Sequence, residues 1–145
     1  MPATPFRPRS SYPAWTTITT RWHDNDHYGH VNNVVYYSWF DTAVNGWLIA
    51  NGLLDLHDGD RIGLVVASGC DYAAALAFPQ AVEIGVAVAR IGTSSVTYHL
   101  GVFAEGAEDA AAQGHFTHVY VTGAERKAAP LPEAWRTALS AIAAR

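Results

Sequence analysis

Apolar and polar positions alternate with a period of two over Ala81–Ile91. Val82, Ile84, Val86 and Val88 take one side, and Glu83, Gly85, Ala87 and Ala89 the other. That alternation sends successive side chains to opposite faces and predicts a strand. The same period runs through Val96, Tyr98, Leu100 and Val102, predicting a second strand over Ser95–Ala104 joined to the first by a tight turn at Gly92-Thr93-Ser94. Residues 114–122 (GHFTHVYVT) read as a further strand, reached through a polar, Ala-rich connection at 105–113. Residues 61–72 (RIGLVVASGCDY) have the β-branched content of a strand, with Gly69 as a candidate bulge. Pro79 punctuates the connection that follows at 73–80, and residues 14–22 (AWTTITTRW) read as the first strand of the chain.

Between the first two strands the period changes. Tyr36, Phe40, Ala43, Val44 and Trp47 recur at three- and four-residue spacing, while Val34, Val35, Tyr37, Trp39 and Leu48 widen the apolar surface. Asn32 or Asn33 suits the N-cap and Gly52 the C-terminal stop of this helix. A helix so broadly apolar is expected to be surrounded rather than leaned on at one side. Residues 54–60 form a loop. Pro130-Leu131-Pro132 opens a second helix with a stripe of Trp135, Ala138, Leu139 and Ile142. Residues 1–13 hold four prolines and are expected to be an extended or disordered arm, leaving 14–145 as a single domain. Short connections predict that the last four strands form an antiparallel meander. A helix of about twenty residues spans roughly 30 Å, and strands of about nine to eleven residues reach as far. The prediction is an α+β fold: a five-stranded antiparallel sheet wrapped around a long central helix, with a C-terminal helix.

Composition narrows the setting. The 145 residues suffice for one domain with a sizeable core. Half are hydrophobic and only 15% are charged, which suggests apolar surface hidden against another subunit. A net charge of −4 with scattered basic residues argues against a nucleic-acid partner. One cysteine, Cys70, excludes an internal disulfide and reads as a small buried residue. The N-terminal stretch lacks the apolar region of a signal peptide. Asn32, Asn33, Asp41 and Asn45 make the long helix unsuited to a bilayer, and the cytoplasm is the default location.

The titratable groups concentrate in one place. His23, Asp24, Asp26, His27 and His30 precede the long helix, where free backbone N–H groups and the positive end of the dipole lie. That setting suits chemistry in which negative charge develops on an oxygen. The three histidines would align on a helix, but Asp24, Asn25, Asp26 and Gly29 are poor helix residues, and no HExxH or cysteine pattern supports a metal. The chain carries no serine-hydrolase elbow, P-loop or GxGxxG.

The run RWHDNDHYGHVNN over residues 21–33, followed by Tyr36 and Tyr37, resembles the signature of the 4-hydroxybenzoyl-CoA thioesterase family of hot-dog acyl-CoA thioesterases. The family pattern is roughly D-x-D-x-x-G-H-V-N-N-x-x-Y at a strand-to-helix junction. IGTSSVTYH and THVYVT also resemble a hairpin and the last strand of that family, so the likeness covers about residues 14–135. It implies a hot-dog fold and hydrolysis of an acyl-CoA to free acid and CoA without a bound cofactor. It also implies a dimer or tetramer with the site at the subunit interface. Asp26 is then the base or nucleophile, and the backbone N–H near Asn33 the oxyanion donor. The other hypotheses are a non-catalytic acyl-CoA or acyl-carrier binding module and a hot-dog hydratase.

Each residue also has a plainer reading. Asp26 could serve only as a turn former or dipole partner. Asp24 suits a structural role, satisfying turn amides or pairing with Arg21. Gly29 fits a positive φ or close approach of substrate. His30 could orient the loop or sit against the thioester. Asn32 is first of all a cap, and Tyr36 a core or interface aromatic. Asp41, two turns into an apolar helix, needs a partner. Ser94 and Ser95 could hold a phosphate or pantetheine or simply turn a hairpin, and Arg90 could meet CoA phosphates or end a strand in solvent.

Overall fold

The computed structural model describes residues 6–57 and 59–145. Five long strands are β1 (Ala14–Thr19), β2 (Ile62–Tyr72), β3 (Ala81–Ile91), β4 (Ser95–Ala104) and β5 (Ala112–Thr122), with a two-residue β6 (Lys127–Ala128) on β5. Helix α1 (Val35–Ala50) packs inside the curl of the sheet, and α2 (Glu133–Ser140) closes one end. This is the α+β hot-dog architecture expected from the periodicities. Val82, Ile84, Val86 and Val88 of β3 are buried and join the core around α1, as the period of two requires.

The strand order is β1-β3-β4-β5-β2, all antiparallel. Only β3, β4 and β5 form the predicted meander. β2 pairs with β5 over Ile62–Tyr72 and does not touch β3. The connection at 73–80 therefore crosses from one side of the sheet to the other. Eight residues reach at most about 28 Å, while the three intervening strand spacings amount to roughly 14 Å. A short connection thus did not require neighbouring strands. Leu76 anchors the crossing, buried in the core and accepting the Val31 N–H at 2.8 Å.

The bulge in β2 falls between Val65 and Ala67, not at Gly69, which pairs in register with His115. Gly69 has a different reason to be glycine. A Cβ there would lie 2.4 Å from the His115 ring. A second bulge interrupts β3 between Val88 and Arg90.

Of the expected N-terminal arm, residues 1–5 lie outside the described residues. Residues 9–11 form a 3-10 turn, and Tyr12 is buried against the outer face of the sheet with Ala87 and Phe103. A Cβ at Gly85 or Gly101 would meet the Tyr12 ring at 2.6 and 2.7 Å, so these two glycines make the seat for that ring. Arg9 completes the layer, its guanidinium 4.8 Å from the centres of both Trp15 and Phe103 and paired with Glu83.

Helix α1 buries Tyr36, Trp39, Phe40, Ala43, Val44 and Leu48 and leaves Ser38, Asp41, Thr42, Gly46 and Ile49 exposed. The sheet therefore covers one side of α1 within the chain and does not surround it. Asp41 stands on the face of α1 that the chain itself leaves open. Neighbouring protein raises its carboxyl above the ordinary value by desolvation.

Candidate functional site

β1 leads into a 3-10 turn at Trp22–Asp24 and then a narrow hairpin over 25–31. Asn25 and Val31 form an antiparallel bridge. The Asp26 N–H donates to the His30 carbonyl at 3.0 Å, and the Gly29 N–H to the Asp26 carbonyl at 3.1 Å. Gly29 has φ of +79°, a conformation that costs glycine little. The Asp26 carboxylate accepts the Tyr28 N–H at 2.9 Å, an Asx turn. Asp24 is 1% exposed. Its carboxylate accepts the Arg21 N–H at 2.7 Å and pairs with the Arg21 guanidinium at 2.8 and 3.0 Å. The hydrogen bond and the charge both raise the Arg21 pKa. The hairpin is tied to the crossing connection by Phe78, whose N–H donates to Asn25 Oδ1 at 3.0 Å.

The turn that leads into α1 is built from Asn32 and Asn33. Asn32 Oδ1 accepts the Val34 N–H at 3.1 Å, its carbonyl the Val35 N–H at 3.0 Å, and the Asn33 carbonyl the Tyr36 N–H at 3.3 Å. Asn32 thereby makes a local turn ahead of the helix, but the residue flanking α1 is Val34, which has no side-chain cap, so neither asparagine stands at the N-cap of the helix that begins at Val35. Among the described residues the Asn33 N–H has no acceptor. Asn33 lines a cavity of about 310 Å³ with His30, Val31, Tyr36, Tyr72 and residues 73–75. An unpaired amide at the positive end of a 16-residue helix is suited to receive an oxygen that gains negative charge. Burial, then the nearby thiol, raises the Tyr36 phenol; burial also raises the Tyr72 phenol and the Cys70 thiol, so all three stay protonated near neutral pH.

The remaining candidates lie outside the lining of this cavity. Asp26 and Gly29 line a neighbouring cavity of about 400 Å³ with Trp22, Asn25 and His27. The hairpin contributes to both cavities, His30 to one and Asp26 to the other. Arg90, Ser94 and Ser95 lie at the far end of the sheet, because β3 starts beside the hairpin and ends at its own turn. The 11-residue length of β3 lies between them and the end of the sheet that the hairpin adjoins. Their turn is tightly held: the Gly92 N–H donates to the Ser95 carbonyl at 2.7 Å, and Arg136 of α2 donates to the carbonyls of Gly92 and Thr93 at 2.8 and 3.1 Å. Among the described residues no group of three His, Cys, Asp or Glu side chains is placed to hold a metal ion, and no helix is long and apolar enough to cross a membrane.

Tyr72 and residues 73–75 line the cavity but were read from sequence as a strand end and a connection. Nothing in their local pattern marks them. They reach the first turn of α1 only because β2 pairs with β5.

Residues 20–139 match the family model of the thioesterase-like superfamily. The chain is also similar to the solved structure of the PA5185 protein from Pseudomonas aeruginosa strain PAO1, at 52% identity, covering 94% of this chain and 96% of that one, with a TM-score of 0.91. The PA2801 protein of the same species, provisionally assigned as a thioesterase, is 30% identical over 86% of this chain and 95% of that one, with a TM-score of 0.79. A 1,4-dihydroxy-2-naphthoyl-CoA thioesterase from Synechocystis, Slr0204, shares the fold at 21% identity, 87% and 94% coverage and a TM-score of 0.77. No curated protein matches.

Proposed function

The chain belongs to the thioesterase-like superfamily, and on that footing we propose that it is an acyl-CoA thioesterase releasing a free carboxylic acid and CoA. The observation that carries the reading is the acceptor-free Asn33 N–H facing a cavity at the positive end of α1. Attack on the thioester carbonyl moves an electron pair onto its oxygen, and the Asn33 amide stabilises that oxygen. Collapse of the tetrahedral species expels the CoA sulfur, which leaves as a thiol once protonated. Asp26 either takes a proton from the attacking water or attacks directly, giving an anhydride that water then opens. His30, on the cavity wall, and Gly29, in the turn, set the shape of the loop that carries Asp26. Tyr36 lines the acyl side, and Asn32 holds the turn. Asp24 supports the loop through Arg21, and Asp41 stands on the open face of α1.

We place Arg90, Ser94 and Ser95 on the CoA moiety bound to a second copy of the chain. Two features support this. Those residues lie far from Asn33 within one chain, and β2 is a long edge strand whose Leu64, Val65 and Val66 are 43%, 48% and 60% exposed. An apolar edge of that length invites pairing with another copy.

The test is thiol release from a panel of acyl-CoAs. Asp26→Asn is expected to lower kcat by about 100-fold or more, with the protein still folded by circular dichroism. One observation favours a second reading, a non-catalytic acyl-CoA binding module: the Asp26 carboxylate is engaged with the Tyr28 amide and lines a different cavity from Asn33. Binding of acyl-CoA by the native protein without any release would establish that reading instead.

A further inference from the structure

Resting on the thioesterase reading, we infer that Tyr72 is a positioning residue for the oxyanion amide, holding the Asn33 segment in place from the last residue of β2. The Tyr72 hydroxyl donates to the Asn33 carbonyl at 3.1 Å across 39 positions of sequence. Among the described residues this is the one side-chain hydrogen bond from the sheet to residues 33–36. The turn needs such a tether. Asn33 and Val34 are exposed, and the local bond to the Asn33 carbonyl, from the Tyr36 N–H, is long at 3.3 Å. The two shorter local bonds, from the Val34 and Val35 N–H groups, both end on Asn32, so the Asn33 carbonyl itself has only this long bond within the turn, and helix ends fray easily.

The ring of Tyr72 is itself held. It meets Tyr36 edge-on at 5.0 Å between centroids, and Tyr36 in turn packs at a tilt against Trp39 at 4.9 Å. The phenol thus has a fixed support on the same helix whose first turn it braces. Its raised pKa keeps the hydroxyl protonated and able to donate. An oxyanion donor is effective only when it is held ready before charge develops, because reorganisation during reaction forfeits the gain. Loss of the tether should therefore slow the chemical step and leave substrate binding nearly unchanged.

Tyr72→Phe removes the hydroxyl and keeps the ring contact. The expected result with an acyl-CoA substrate is a fall in kcat of about tenfold with KM within about twofold. Amide hydrogen exchange supplies a readout that does not need turnover. The Tyr36 N–H should exchange faster in the variant, while amides near Leu48 at the other end of α1 stay protected. Unchanged exchange at Tyr36, or a higher KM at unchanged kcat, overturns the positioning role. A native protein that releases no thiol, together with faster Tyr36 exchange in the variant, overturns the thioesterase reading and leaves the tether standing.

Discussion

His118 lies on β5, where alternate residues face the core, and it is 2% exposed there. Its Nδ1 lies 3.2 Å from the Tyr120 hydroxyl, which lies 2.8 Å from that of Tyr98, while Nε2 has no partner among the described residues. Burial disfavours the imidazolium and pushes the pKa down to about 4 from the ordinary 6.5. The folded form thus binds a proton less readily than the unfolded one. Stability from this group is complete above about pH 6.5 and is lost as pH falls toward about 4, by about 3 kcal/mol at 1.4 kcal/mol per unit. Chemical denaturation at pH 7 and pH 4.5 should show that loss in the native protein and a smaller one in His118→Phe. Equal slopes in the two proteins would assign the acid sensitivity elsewhere. Among the site residues, the turn bonds of Asp24, Asp26 and Asn32 were legible because turn preferences are local. Tyr72 was not, because its partner lies on another element.

The approach of one element to another rests on a few small positions. Gly114 of β5 is buried where α1 crosses it, and a Cβ there would lie 2.6 Å from the Phe40 ring and 2.7 Å from the Gly69 carbonyl. The ring could shift, but the β2 backbone cannot move without breaking the β2–β5 ladder. Gly114→Ala should therefore destabilise the fold by about 1–3 kcal/mol, the usual range for overpacking. Thermal melting checks this, and an unchanged Tm would mean the layers have slack. Strand periods of two and the helix period located every long element to within a few residues. The bulge position and the start of α1 were missed, since both are settled by pairing and turn geometry rather than by side-chain type.

At the scale of the molecule, β2 is the feature that most needs company. Val66 protrudes at the bulge, 60% exposed, on a strand paired along one side only. With Trp22, Tyr28 and Val34 also exposed at 79%, 86% and 65%, apolar surface gathers where the proposed site opens. Val66→Lys puts a charge into that edge and should convert a dimer to a monomer in light scattering at micromolar concentration. Thiol release should fall with it, because Arg90, Ser94 and Ser95 would no longer reach a neighbouring cavity. A native protein that is already monomeric, or a monomeric variant with full activity, would remove the two-subunit site.

Local order was written into the amino-acid string: where side chains alternate, where they recur by turns of helix, and which short motif stands before α1. Those properties depend on near neighbours, so a linear reading captures them. The partner of β2, the seat of Tyr12 and the meeting of Tyr72 with Asn33 were decided by tertiary structure alone. Each joins segments far apart in the chain, and many pairings satisfy the same local pattern. Only the closing of the whole sheet around α1 selects among them.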